Sequence, residues 1–360
     1  MTSTSENDPA THPESWREVV RKYQQPCLAR GSWQMINSVG GYVATWGLIY
    51  LSLSISLWLT AALAILAGGF LVRIFIIFHD CGHGCFFPSR TANDVAGFLT
   101  GTLSFTPYYL WRKEHALHHS TAADLDRRGV GDVPTMTVEE YLAAPRWKKL
   151  GYRVVRNPVV LFGIAPLLMF FVKHRLPLSP EATARERHSV HWTNLAVLGM
   201  VVGMSFLFGL IPYLVIQASI MAVAGAVGTW LFYVQHQFEG VYWERGEDWD
   251  FVDAALKGSS FYKLPKVLQW FSGNIGFHHI HHLSPRIPNY NLQACHDADP
   301  LFQQIEPITF GASLKTLSLR LWDEQAKKLI GYRPMRQRRK AHRAEAKRGR
   351  AKRAESKRGT

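Results

Sequence analysis

The sequence has few cysteines, and their spacing excludes several classes of protein. Its 360 residues contain Cys27, Cys81, Cys85 and Cys295, and no pair has the CxxC spacing of a zinc or redox motif. A disulfide framework is therefore not expected. There is no HExxH motif and no convincing pair of ExxH motifs, which argues against a common type of zinc hydrolase site and against a ferritin-like di-iron site.

A second absence concerns the first 30 residues, which are polar and lack the hydrophobic core of a cleavable signal peptide. Any insertion into a membrane is therefore expected to use internal segments. Two such segments, residues 31–72 and 193–235, contain no Asp, Glu, Lys or Arg. Each is too long for one crossing of the bilayer, which takes about 20 residues.

These two charge-free segments predict an all-α integral membrane protein with four transmembrane helices in two hairpins. We place the helices at roughly 36–57, 59–79, 193–211 and 213–236, with turns near 56–60 and at 211–213. The alternative is a soluble protein with two buried helical hairpins, but charge-free runs of this length are rare in soluble folds. Two shorter apolar segments, 92–111 and 157–172, are predicted to be interfacial or re-entrant helices.

The basic residues predict the orientation in the membrane. All Lys and Arg residues lie in 1–30, 73–191 or 244–360, so four spans would place them on one side. The positive-inside rule makes that side the cytoplasm, with both termini and a cytoplasmic helical cap, in a membrane expected to be the bacterial inner membrane. If either of the shorter apolar segments crossed the bilayer alone, this topology would fail.

The formal net charge of +14 is uneven and predicts three regions. Residues 1–30 form a polar, partly disordered segment, 31–332 form the membrane domain with its cap, and 333–360 form a basic low-complexity tail. The tail contains a near-repeat, RAEAKRG at 343–349 and RAESKRG at 353–359. It is interpreted as a solubilising tail or as a contact for anionic lipid headgroups. No interleaved aromatic residues support nucleic-acid binding.

Histidine is abundant and clustered. His79 and His83 are four residues apart, and two later groups each have the spacing i, i+3, i+4: His115, His118 and His119, then His278, His281 and His282. On a helix this spacing places residues on one face, so each group is expected to aim its rings one way. His279 would face away and is left out of the ligand set. The other histidines, apart from His236, are interpreted as surface or loop residues: His12, His174, His188, His191, His296 and His342.

In the predicted topology these groups converge at the cytoplasmic membrane surface, together with His236 at the end of the fourth helix. Converging imidazoles would repel when protonated and would leave unsatisfied nitrogens when neutral and buried. A metal resolves both problems, and nine ligands suit two ions with four to five protein ligands each. Beside a bilayer, an unactivated acyl chain offers only C–H bonds, whose oxidation requires a redox-active metal such as iron with open positions.

At these residues the sequence resembles the membrane fatty acid desaturases. HDCGH at 79–83, HALHH at 115–119 and HHIHH at 278–282 are similar to the family's three histidine boxes, in the same order. The segments STAADLDRRGVGDVPTMTVEEY and GNIGFHHIHHLSPRIPNYNL resemble the acyl-lipid branch, and the resemblance runs from about residue 35 to 310.

This resemblance implies a di-iron centre held by the box histidines and one further ligand, for which His236 is our candidate. It implies an enzyme that uses O2 and two electrons to introduce a cis double bond into a phospholipid or glycolipid acyl chain. The electron donor would be a separate protein such as ferredoxin, flavodoxin or cytochrome b5. No catalytic side chain is predicted beyond the metal centre.

Other residues near the boxes are candidates for supporting roles. A metal-bound histidine usually donates its other N–H to a carboxylate or carbonyl, which suggests four acidic residues: Asp80, Glu114, Asp124 and Asp132. Asn274 could reach the metals through water. Tyr108, Trp111 and Trp230 flank apolar segments and would line a substrate channel or belong to an interfacial aromatic belt.

Three other functions remain compatible with the sequence. A hydroxylase or ketolase acting on a lipid, alkane or carotenoid would use the same metal scaffold. A non-catalytic metal carrier would bind metal labilely and would not consume oxygen. A lipid hydrolase with two zinc ions would act without oxygen. The position of the double bond, the chain length and the headgroup are not predicted.

Overall fold

The computed structural model of the chain describes residues 15–177, 181–335 and 337 and is mostly helical. The predictions for residues 1–13 and for the tail beyond residue 337 lie outside this part of the chain. The helices, in chain order, are α1 (Ser15–Tyr23), α2 (Leu28–Ser52), α3 (Leu57–His83), α4 (Arg90–Leu103), α5 (Tyr108–Thr121), α6 (Val138–Ala143), α7 (Arg146–Val155), α8 (Ala165–Phe171), α9 (Ala184–Phe208), α10 (Leu210–His236), α11 (Phe251–Leu256), α12 (Lys266–Phe271), α13 (His278–Leu283), α14 (Asn289–Asp297), α15 (Pro300–Gln303) and α16 (Phe310–Ser313).

Short strands connect the loops between these helices. They are β1 (Met136–Thr137), β2 (Phe261–Lys263), β3 (Pro307–Thr309), β4 (Leu321–Asp323) and β5 (Lys328–Ile330). β4 lies between β1 and β5, and β2 pairs in parallel with β3. The chain is thus mostly helical, as predicted, and the short strands satisfy backbone groups of distant loop segments.

Within the described residues, three helices are long and apolar enough to cross a membrane: α3, α9 and α10. The count becomes four if α7 and Val160–Arg175, which are bent by 62°, form one broken span. The first predicted span corresponds to α2, which is 25 residues long but carries Gln34, Asn37 and Ser38 in its first half. The exact count of four spans in two hairpins is thus not established by the helices alone.

The two turns between the long helices differ in how well they match the prediction. α2 ends at Ser52, and α3 begins after Ser56, whose hydroxyl accepts a hydrogen bond from the Leu59 amide. The second turn was predicted at 211–213, which is wrong. Gly209, with φ of +78°, makes the break, and Pro212 lies in the first turn of α10. Proline is tolerated there because the first amides of a helix have no intrahelical partner.

α3 is the central helix of the membrane part. It packs against α2, α4 and α10, and 56% of its most apolar window is buried, compared with 17% for α9. Gly68 of α3 has no side chain, which permits close packing against α10, since a Cβ there would lie 2.6 Å from the Val223 side chain. The outward faces of the long helices carry exposed apolar side chains such as Phe206, which is 87% exposed. A surface of this kind is suited to lipid.

The two shorter apolar segments pack beside this central helix. Residues 92–111 form most of α4 and the first turn of α5, and both helices contact α3. Residues 157–172 contain a π-helical stretch, Val160–Ile164, followed by α8, and both pack on α10. The packing of α5 against α3 places HALHH beside the last turn of α3.

Candidate metal centre

The first histidine box occupies the last turn of α3. Its His79 and His83 rings lie one turn apart, with centroids separated by 4.7 Å. Gly84 ends the helix with φ of +71°, a left-handed conformation that costs glycine little. The first box is therefore held by the helix that forms the centre of the fold.

The other two boxes are also helical, as their spacing predicts. HALHH lies in the second half of α5, and HHIHH begins the short helix α13. The His79 ring lies 4.7 Å from that of His115 and 4.5 Å from that of His281, so all three boxes meet. His236, the last residue of α10, lies 4.8 Å from both His118 and His278 by ring centroids.

The nine predicted ligands form two groups within which all potential ligand atoms lie within 4.8 Å of one another. We call them the first cluster and the second cluster. The first cluster contains His79, His83, His115, His119 and His281, and the second contains His118, His236, His278 and His282. No acidic or cysteine side chain belongs to either cluster in the part of the chain described.

The boxes are divided between the clusters, so the expectation that each box aims its rings one way is wrong for two of them. His118 belongs to the second cluster and His119 to the first, while His281 belongs to the first and His282 to the second. Consecutive residues of a helix diverge by about 100°, so positions i+3 and i+4 lie on either side of position i. The divergence lets one helical turn serve both clusters.

The ring nitrogens face one another as a shared cation would require. His236 Nε2 lies 3.2 Å from His118 Nε2 and 3.0 Å from His278 Nε2. In the first cluster, His119 Nε2 lies 3.1 Å from His115 Nε2 and 3.0 Å from His281 Nε2. A neutral ring nitrogen carries either a proton or a lone pair, so three converging nitrogens cannot all be satisfied by each other. A bound metal would accept all of these lone pairs.

For the cluster histidines that lie outside the long helices, burial favours the neutral imidazole, which is the form that binds metal. Desolvation, followed by the charges of neighbouring histidines, lowers the pKa of His115, His119 and His281 well below the usual value. The pKa values of His278 and His282 are lowered for the same reason. Neutral imidazole is a ligand for zinc, copper, iron and nickel, so the donor set fits a transition metal in each cluster.

Two of the predicted carboxylates contact cluster histidines. Asp80 Oδ1 lies 2.9 Å from Nδ1 of His79, and Asp132 Oδ1 lies 2.8 Å from Nδ1 of His118. The second oxygen of Asp80 accepts hydrogen bonds from the amide and side chain of Asn289, at 2.6 and 2.8 Å. A carboxylate accepts a hydrogen bond from a protonated Nδ1. The proton then lies on Nδ1, so the Nε2 lone pair is free for a metal.

The other three predicted partners lie elsewhere. Glu114 pairs with Lys173 at 3.1 Å, and Asp124 accepts hydrogen bonds from the side chain and backbone amide of Arg127. The Asn274 side chain donates a hydrogen bond to the carbonyl of Asn289, the residue that binds Asp80. Among the described residues, none of the three forms a hydrogen bond with a box histidine.

His279 lies outside both clusters, as the prediction required. Its ring is buried with no hydrogen-bond partner for either nitrogen, and its centroid lies 5.4 Å from that of His296. Burial lowers the pKa of His279 to about 3. His174 and His296 are buried, so the prediction that they lie at the surface is wrong.

Asn289 supports the centre although it was not among the residues predicted from the sequence. Asn289 follows the third box by seven positions, in the segment HHLSPRIPNY, and its only sequence signal is that proximity. Trp111 stacks on the His115 ring at 4.4 Å. Tyr108 donates to the Cys81 carbonyl at 2.6 Å, and Trp230 donates to the Tyr262 hydroxyl at 3.2 Å.

The fold and the site together define a membrane-associated protein with two buried clusters of histidines that could hold metal ions. The family model "Fatty acid desaturase" matches residues 56–307, more than half of the chain. The chain belongs to the fatty acid desaturase family, whose members are oxidoreductases that act on fatty acyl chains.

Three relatives show how far the similarity extends. A "Fatty acid desaturase" of Bacillus subtilis strain 168 is 44% identical over 317 residues, covering 88% of this chain and 90% of the relative. An "sn-1 oleoyl-lipid 12-desaturase" of a Synechocystis strain is 26% identical over 78% of this chain and 80% of its own. An "sn-1 acyl-lipid omega-3 desaturase (ferredoxin)" of a Nostoc strain is 29% identical, with 61% of each chain covered.

Proposed function

We propose that this protein is an acyl-lipid desaturase that introduces a cis double bond into an acyl chain of a membrane phospholipid or glycolipid. The arrangement of two buried imidazole clusters at the ends of α3 and α10 carries this proposal. The reaction removes two hydrogens from adjacent methylenes. Two electrons from the chain and two from a donor, with two further protons, reduce O2 to two waters.

The two clusters are proposed to hold one iron ion each. Five imidazoles of the first cluster and four of the second would be the protein ligands. Imidazole ligands suit iron and leave positions for other ligands. Iron bound there would supply the oxidising power needed to break an unactivated C–H bond.

The side chains around the clusters orient the ligands and exclude water. Asp80 and Asp132 each keep a proton on the Nδ1 atom of one histidine, which directs the Nε2 atom of that ring toward its cluster. Burial of the rings of His118, His278 and His282 excludes bulk water. A dry site limits side reactions of an oxidising centre.

The proposed topology consists of two hairpins, α2–α3 and α9–α10, with the clusters and both termini in the cytoplasm. α2 packs along α3 through a short turn. Its 25 residues correspond to about 37 Å at 1.5 Å per residue, enough to accompany α3 across the bilayer. The basic residues would then lie on the cytoplasmic side of a bacterial inner membrane. Within this topology, 31–332 form the desaturase domain and 333–360 the basic tail.

The electron donor is proposed to be a separate, acidic protein such as ferredoxin, flavodoxin or cytochrome b5. The Nostoc relative is named as a ferredoxin-dependent enzyme. The basic residues that follow the long helices would attract an acidic donor to the cytoplasmic face.

Expression in a host with saturated membrane lipids, with and without air, tests the proposed reaction. We expect new cis double bonds in extracted acyl chains only with air and with a working electron donor. Hydroxylated or keto products would instead support the hydroxylase or ketolase alternative. Lipids that stay unchanged in air, with bound iron and donor verified, would refute a desaturase. Activity that persists without oxygen would point to a hydrolase.

A further inference from the structure

An open groove lies on the surface beside the second cluster. It has a volume of about 440 Å³ and lies between residues 128–136 and one face of α7. We call it the lateral groove. The α7 residues that line it are Trp147, Lys148, Gly151, Tyr152 and Val155, and its wall consists mainly of carbon atoms.

One residue that lines the lateral groove supports a histidine of the second cluster, and another contacts the residue next to a second histidine. Asp132, which lines the groove, accepts the hydrogen bond from His118. Thr135, also in the lining, accepts a hydrogen bond at 3.1 Å from Gln237, the residue that follows His236. A molecule bound in the groove would therefore lie beside the carboxylate that orients His118.

α7 places this groove at the depth of lipid headgroups. Its apolar side chains Trp147, Leu150 and Val154 are spaced by three and four residues and are 75%, 64% and 49% exposed. The same helix carries basic residues, and the following segment, Val160–Arg175, is bent away from it by 62°. A helix with this pattern lies in the plane of the membrane interface, with its apolar face toward the acyl chains.

One charged group of the lateral groove has no partner among the described residues. Arg128 is paired with Glu140, and both oxygens of Asp132 are engaged, by His118 and by the Gly129 amide. Lys148 is exposed and has no hydrogen bond or ion pair within the part of the chain that the structure describes. Among the charged groups of this lining, the Lys148 ammonium is therefore the one without a partner in the described protein, and an ammonium group attracts an anion.

We infer that the lateral groove binds the glycerophosphate part of an anionic phospholipid, with Lys148 at the phosphate and an acyl chain passing over Gly151. This inference rests on the proposed function and narrows its substrate from membrane lipids in general to phospholipids. Gly151 leaves the space open, because no atom lies within 4 Å of the position that a Cβ would occupy there.

Lipid retention by the purified full-length protein tests the groove without requiring turnover. The protein in detergent is offered equal amounts of dipalmitoyl phosphatidylglycerol and dipalmitoyl monoglucosylglycerol, and retained lipids are counted by native mass spectrometry. We compare Lys148→Gln and Gly151→Leu with two matched controls, Arg146→Gln on the same helix and Gly199→Leu at another open helical glycine.

We expect the unmodified protein to retain mainly the phospholipid. Lys148→Gln should lower its retention about fivefold, the effect of one cation near an anionic surface. Gly151→Leu should lower retention at least as much by filling the groove, and neither control should change it. Equal losses for Lys148→Gln and Arg146→Gln would indicate general attraction to the headgroups and overturn the inference, as would retention unchanged in all variants.

Turnover in proteoliposomes separates the groove from the donor surface. In Lys148→Gln we expect a higher KM for the phospholipid and an unchanged KM for the electron donor. A raised KM for the donor alone would assign the groove to donor docking and overturn the inference. If the unmodified protein formed no double bonds, the proposed function would fail, while the retention measurement would still decide the groove.

Discussion

Replacement of Asp132 by asparagine tests the carboxylate that orients His118. Asp132 accepts two hydrogen bonds, one from the His118 ring at 2.8 Å and one from the Gly129 amide at 2.9 Å. The two donors bind different oxygens of Asp132, and asparagine has an NH2 group in place of one of them, so one donor would lose its acceptor. Either the Gly129 amide loses its partner, or the NH2 group faces His118 and favours the tautomer with a proton on Nε2.

The second outcome places a proton where the second cluster needs a lone pair. Replacement of a carboxylate that supports a metal-bound histidine typically weakens metal affinity by about 10- to 100-fold. This corresponds to about 1.4–2.7 kcal/mol. The loss should be confined to the second cluster, since Asp132 contacts no histidine of the first cluster among the described residues. Asp80→Asn should weaken the first cluster in the same way, because Asp80 engages His79 and Asn289.

Metal binding to the purified, detergent-solubilised protein provides the assay. Competition with a chelator of known affinity should show one weakened site and one unchanged site in each variant, and elemental analysis should fall from about two ions to about one per chain. Glu114→Gln is the control, because Glu114 pairs with the exposed Lys173. Unchanged affinity in Asp132→Asn, or equal weakening of both sites, would refute the assignment of Asp132 to the second cluster.

Three further perturbations test the site and its support. His118→Ala should abolish product and lower bound metal, whereas His191→Ala, at an exposed position, should do neither; normal turnover of the first variant would contradict the ligand set. His279→Leu should retain both metals, and its thermal midpoint should fall less than that of the unmodified protein as the pH drops from about 6.5 toward 3. The reason is that the depressed pKa of His279 contributes stability above pH 6.5 that is lost on acidification. Identical pH profiles of the two proteins would contradict a contribution from His279. Gly276→Ala should lower the free energy of unfolding by about 1–3 kcal/mol and release metal, since its Cβ would lie 2.3 Å from the Tyr262 carbonyl oxygen. Gly311→Ala, in open space, is the control. Equal thermal midpoints of the two variants would contradict the steric argument.

The parts of the fold that the sequence predicted well depend on patterns repeated over many residues. The charge-free runs indicated the long helices α3, α9 and α10, and the spacing of the histidines indicated helices at all three boxes. The number of histidines also matched two clusters of four and five. Such features follow from local periodicity and from the cost of burying charge, so no tertiary contacts were needed to predict them.

The remaining features depend on contacts between distant segments. The assignment of His118 and His119 to different clusters follows from where α10 and α3 end, which one helix does not specify. Asn289 acquires its role because its segment folds back onto Asp80, 209 residues earlier. The turn at Gly209 was missed because Pro212 gave the stronger local signal, although proline is compatible with a first helical turn.

The equal lengths of α3 and α10 have a consequence for the depth of the proposed reaction. Each helix has 27 residues, about 40 Å at 1.5 Å per residue, and each carries ligands in its last turn. In the proposed topology, a hydrocarbon core of about 30 Å would leave those turns near the ester groups of the lipids, far from the methyl ends of their chains. In the proposed topology, the new double bond should therefore be placed at the same number of carbons from the ester in palmitoyl and stearoyl chains.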